Sequence, residues 1–140
     1  YHFVATGPNT VAERAILEGV VDTAETTTST SYTNLTTDGP SVSATTGTKA
    51  LAFVNAQMDN STSTGTVLAS FEITGATVLG AGDSRAVIND IGTAGASVSC
   101  SRSILMTTLT PGSNTFHMQY RLSGAGTCRA AKRRIQVIAL

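Results

Sequence analysis

The stretch LTPGSNTFHMQYRL, residues 109–122, decides the fold. Pro111 and Gly112 are turn residues, and the residues after them alternate with a period of two. Phe116, Met118, Tyr120 and Leu122 fall on one side, Thr115, His117, Gln119 and Arg121 on the other. A period of two is the geometry of a strand with one face in a core. The other face, with His117 and Arg121, could serve a reaction, a binding surface or only a wet sheet.

The same pattern runs outward in both directions. TVLASFEITG (66–75) places Val67, Ala69, Phe71 and Ile73 on one face. KALAFVNAQM (49–58) carries Leu51 and Phe53 on one side and Ala50, Ala52, Val54 and Ala56 on the other, small residues that suit close contact with a second layer. Further strands are expected at 24–36, 41–45, 76–79, 85–90, 97–109 and 128–140. An inward set that shifts near Ile104 and Leu105 suggests a bulge in the 97–109 strand. Gly- and Ser-rich turns separate these runs. About eight short strands at this spacing predict an all-β fold, an antiparallel jelly-roll-like β-sandwich.

Composition agrees. Thr and Ser fill 38 of 140 positions, charged residues 13%, and Trp is absent. Thr is β-branched and suits a pleated surface. No apolar run approaches the ~18 residues that cross a bilayer, so no membrane partner is expected. No signal peptide is visible, and a start at Tyr1 without Met suggests part of a longer polypeptide.

Residues 1–23 read differently and are expected to be an N-terminal arm or attachment segment, with the sandwich over 24–140. NTVAERAILEG (9–19) fits either a short helix capped by Asn9 or Thr10 or an extended arm. Val11, Ile16 and Leu17 would then pack on a neighbouring subunit, or on the arm's own domain.

Net charge is zero but segregated. All nine acids lie in residues 1–90, with Arg14, Lys49 and Arg85, for a balance of −6. Residues 91–140 carry six basic residues and no acid, for +6. Pairing within the chain or between subunits would use this asymmetry. RAAKRR (129–134) looks like a nucleic-acid footprint, but it sits in a strand without aromatic stacking residues, and no nucleic-acid partner is expected. Arg121, Arg129, Lys132, Arg133 and Arg134 are instead expected at contacts with a neighbouring subunit.

Candidate chemistry is sparse. His117 has no nucleophile motif near it, the acids are dispersed, and no cofactor or metal motif is present. MDNSTSTG (58–65) is a weak match to a calcium loop and reads better as a plain turn. Cys100 and Cys128 lack metal-ligand spacing; the pair permits either one disulfide or two buried thiols.

The run TTTSTSYTNLTTDGPSVSATTGTKALAFVNAQMDNST (26–62), then SFEITGAT, SRAVI and TTLTPGSNTFHMQYRLSGAGTCRAAKRRIQVIAL, resembles β-sandwich domains of tailed-bacteriophage structural proteins. The resemblance implies a non-enzymatic virion protein that decorates a capsid or forms part of a tail or fibre. It implies a homotrimer contacting other virion proteins on the capsid or tail surface. A host-surface or carbohydrate-binding module at a fibre tip is the alternative, weakened by having only three tyrosines and no Trp as platforms.

Overall fold

The computed structural model describes residues 2–7, 10–14 and 16–140, the first two segments by their backbone pairing alone. Strands β1 (His2–Gly7) and β2 (Thr10–Arg14) form an antiparallel hairpin. The helix weighed for this region is therefore not adopted. The runs are short for a helix, Gly7–Pro8–Asn9 between them is turn chemistry, and Val4, Thr6, Thr10 and Val11 are β-branched.

Nine strands among the described residues build the sandwich. They are β3 (Leu17–Val21), β4 (Glu25–Thr27), β5 (Ser41–Thr46), β6 (Ala50–Asn60), β7 (Thr66–Gly75), β8 (Val87–Asn89), β9 (Val98–Met106), β10 (Gly112–Ser123) and β11 (Cys128–Ala139). One sheet has the order β5-β10-β7-β8, the other β3-β11-β6-β9, with β4 also on β11. Every pairing is antiparallel. The fold is the expected jelly-roll-like sandwich.

The core lies between the sheets and follows the alternation read from the sequence. Phe116, Met118 and Tyr120 of β10 are fully buried, as are Val67, Ala69, Phe71 and Ile73 of β7. The Phe71 and Phe116 rings meet with centroids 5.9 Å apart, within the range of favourable aromatic pairs. Facing them, β6 contributes Ala50, Ala52, Val54, Ala56 and Met58. Its three alanines leave room for the large β10 and β7 side chains, so large and small residues interdigitate across the layers.

Three expectations are revised, and a fourth observation adds to what the sequence showed. Leu17–Val21, grouped with the arm, is a strand of the sandwich paired to β11. Residues 24–36 supply only the three-residue β4. Beyond it, Ser29 and Ser31 turn their hydrogen bonds inward, with Ser29 Oγ donating to Ser31 O at 2.6 Å and accepting from the Ser31 amide. Such local bonds compete with a regular ladder. The segment still closes an edge: the amides of Met118, Tyr120 and Leu122 donate to the carbonyls of Pro40, Thr33 and Ser29.

The third revision is the position of the bulge. β9 pairs with β6 in continuous register from Val98 to Met106, and Leu105 simply faces out. The shift lies in β11, between Ala131 and Arg134. Lys132 there takes φ 47°, rare for a residue with a side chain. Fourth, the turn of the TPGSN motif is fastened by a buried asparagine. The Asn114 amide donates to Thr46 Oγ1 (2.8 Å) and Thr110 O (3.0 Å), and its carbonyl accepts from the Thr77 amide (2.7 Å).

Candidate functional site

The polar face of β10 is occupied from within. Thr115 shares a hydroxyl bond with Ser43, and Gln119 Nε2 donates to Asn34 Oδ1. His117 lies between two carboxylates, Nε2 at 2.9 Å from Asp38 and Nδ1 at 3.1 Å from Glu72. Since a general base needs one ring nitrogen free to accept a proton, a ring held at both nitrogens by carboxylates serves as a clamp between β7, β10 and the 38–40 turn.

Arg121 is taken up in the same way. Its guanidinium forks onto Asp83, Nε–Oδ1 at 3.0 Å and Nη2–Oδ2 at 2.5 Å, and stacks 5.5 Å from the Tyr32 ring centroid. Tyr32 donates to the same carboxylate at 2.8 Å. These bonds, Arg121 first, hold the Asp83 carboxyl below its usual range. The expected intersubunit role of Arg121 is thus replaced by an internal one.

Arg133 departs furthest from expectation. It is fully buried, because the β11 bulge adds one residue and turns it inward, whereas the basic run reads as exposed. Its Nη1 donates to the carbonyls of Thr37 (3.3 Å) and Gly39 (3.2 Å), and its Nη2 to Thr23 O (3.4 Å) and Glu25 Oε2 (3.0 Å). The guanidinium lies 5.3 Å from the Tyr120 ring centroid, and the Tyr120 hydroxyl donates to Gly39 O. Burial raises the Tyr120 phenol well above its ordinary range. One arginine therefore anchors the whole 23–39 connection to the core and cannot reach a neighbouring subunit.

The remaining basic residues divide. Arg129 pairs with Asp59 at 2.8 Å and Arg134 with Glu18 at 2.8 Å. Lys132 is exposed and has no carboxylate partner among the described residues. The loop after Asp59 is a structural seam, with Asn60 Nδ2 donating to Ala125 O and Asn60 Oδ1 accepting from the Thr127 amide. Among the described residues no group of three or more acids, histidines or cysteines is placed to hold a metal.

Cys100 and Cys128 are free thiols, so the disulfide is not formed. They flank β6 on opposite sides, Cys100 opposite Ala56 and Cys128 opposite Asn60. Two strand spacings of ~4.8 Å separate them, beyond the ~7 Å Cα limit for a bridge. Burial raises both thiols, Cys128 to about 12.

Exposed apolar side chains occur singly at Val78, Ile88 and Ile91 and in a row on the outer face of the β3-β11-β6-β9 sheet. Leu105, Leu51 and Ile138 stand directly opposite one another across β9, β6 and β11. Phe53 lies in the next outward row of β6, and Ile16 just before β3 at the sheet edge. Leu105 is 56% exposed and Ile16 49%. Ile16 and Leu17, expected at contacts, are exposed in part; the Val11 side chain lies outside the described residues.

No family model and no curated protein matches the chain. Solved structures do. The infectious bursal disease virus VP2 subviral particle aligns with a TM-score of 0.64 at 15% identity, covering 97% of this chain and 37% of that one. The Gt strain of the same virus gives 0.60 at 16%, again covering 97% and 37%. Eiger TNF from S. frugiperda gives 0.52 at 13%, covering 92% and 94%. The chain spans little more than a third of the viral chains it matches. What is shared at these identities is the fold, a jelly-roll sandwich also found in the VP2 of a subviral particle and in a TNF.

Proposed function

We propose that the chain is a non-enzymatic virion structural protein, of bacteriophage origin, that associates with copies of itself, as a trimer, on a capsid, tail or fibre surface. The observation that carries this is the apolar row Leu105–Leu51–Ile138, exposed at Leu105 and half-buried at Leu51 and Ile138, continued by Phe53, Ile16 and Val20 on the same sheet face. Contiguous exposed apolar side chains rimmed by polar ones mark contact surfaces. Fold likeness to a capsid protein supports the setting. The occupant is a second copy, and the hairpin β1–β2 serves as the attachment arm to the particle.

Light scattering of the purified chain tests the reading. The expected result is a mass near three chains, reduced to one by Leu51→Ser with Leu105→Ser while the circular dichroism of the sandwich is retained. Removing residues 1–15 should preserve fold and mass but abolish binding to particles. A monomeric parent chain, or unchanged particle binding by the shortened one, would refute the corresponding half of the proposal.

A further inference from the structure

On the same outer sheet face, beginning one row from the apolar strip, lies an open groove of about 410 Å³. Its size falls within the usual range for small-ligand sites. Its walls are the side-chain amides of Asn55, Gln57 and Gln136 and the hydroxyls of Ser99 and Ser101. Lys132 and Arg134 border it from β11. Register explains the assembly: Ser101, Asn55 and Arg134 stand opposite one another across three strands, and Ser99 and Gln57 form the next row.

The bulge places Lys132 there at a backbone cost. Its φ of 47° is a left-handed conformation that a lysine adopts only when its surroundings impose it. In return the ammonium stands on the groove side, two residues from Arg134. Glu18 reaches Arg134 from the edge strand β3, and no carboxylate is among the groove's lining residues.

We infer that this groove binds a carboxylate-bearing sugar, the acid lying on Lys132 and Arg134 and the hydroxyls on the amides and serines. Amide and hydroxyl side chains can both donate to and accept from sugar hydroxyls, and the two cations select an acidic one. An aromatic ligand finds no stacking ring among the lining residues, and the apolar part of the lining, at Ala56 and Cys100, suits the ring face of a sugar. Nucleic acid finds no stacking residue, and the basic run offers only part of its charge, Arg133 being internal and Arg129 paired with Asp59. The inference goes beyond the assembly proposal and does not depend on it.

Amide NMR of the full chain titrated with 3′-sialyllactose, lactose and a short acetylated Asp/Glu peptide tests it. Sialyllactose should shift the amides of Asn55, Gln57, Ser99, Ser101 and Gln136, and lactose should not. Lys132→Gly, which suits the left-handed backbone, should weaken the sugar about tenfold, the loss of one charge-assisted hydrogen bond. Lys132→Arg should retain it. Absence of shifts with sialyllactose, or equal shifts with lactose, would overturn the inference. Groove shifts with the peptide alone would overturn it too and assign the groove to a neighbouring polypeptide. The Leu51→Ser/Leu105→Ser chain separates the two proposals: it should lose mass and still bind the sugar.

Discussion

At the scale of single residues, buried charge determines how the 23–39 connection is held. Arg133 has no exposure, and its Nη1 and Nη2 groups donate to three carbonyls and Glu25. Removing one partner of such a set leaves the others buried and unpaired. Arg133→Ala should therefore destabilise the chain by roughly 3–5 kcal/mol, read from urea midpoints. Arg133→Met, which refills the volume, should recover part of that loss. Glu25 and Asp83 give the pH dependence. The Thr37 hydroxyl and amide, with Arg133, hold the Glu25 carboxyl below its usual range, and Arg121 with Tyr32 does so for Asp83. A depressed carboxylate contributes stability above its unfolded value and loses it as pH falls through the folded one. Stability should hold from pH ~7 to ~5 and fall below ~4, near and below the unfolded carboxylate values. A Glu25→Gln/Asp83→Asn chain should show a smaller fall over the same range, measured by urea midpoints at each pH. None of this was legible beforehand. RAAKRR reads as a run with four surface charges, and only the bulge makes its fifth residue, Arg133, internal.

At the scale of elements, legibility was uneven for a physical reason. Strands whose two faces differ in polarity declare themselves: β7 and β10 were readable from alternation alone, and the inner face of β6 from its small residues. Strands that pair only at an edge do not. β4 and the 28–40 segment are Thr- and Ser-rich; β4 pairs with β11, and the 28–40 segment bonds β10 through backbone carbonyls and the Thr33 amide rather than through any side-chain pattern. The β11 bulge was misplaced to β9 because Ile104 and Leu105 are both apolar, although Leu105 belongs to the outer row. The bulge also carries a consequence. Cys128 and Ala130 before it and Ile135 and Val137 after it all face the core, which is impossible at a strict period of two. Deleting Lys132 should force one of these pairs outward and abolish cooperative unfolding. Lys132→Gly should instead fold normally, with stability equal to the parent or raised by up to ~1 kcal/mol from the relieved backbone. Thermal melts of the two variants would separate a bulge required by the core from one that is incidental.

At the scale of the whole molecule, the charge segregation finds its use inside the chain. Each arginine–carboxylate pair among the described residues joins an acid from the first 90 positions to a base from the last 50: Asp83 with Arg121, Asp59 with Arg129, Glu25 with Arg133 and Glu18 with Arg134. The C-terminal strands β10 and β11 thus gather in the N-terminal half by charge as well as by apolar contact. This leaves little charge for matching acidic and basic faces of separate copies, and what remains for association is the strip around Leu51 and Leu105. The two modes respond oppositely to salt. Surface charge attraction is largely screened at ~1 M, where the Debye length is ~3 Å, whereas sulfate strengthens apolar burial. The assembled mass should persist from ~0.05 to ~1 M sodium chloride and tighten in ammonium sulfate, measured by sedimentation over a dilution series. Dissociation by sodium chloride would mean that copies meet through residual charge, and would move the contact surface away from the apolar strip.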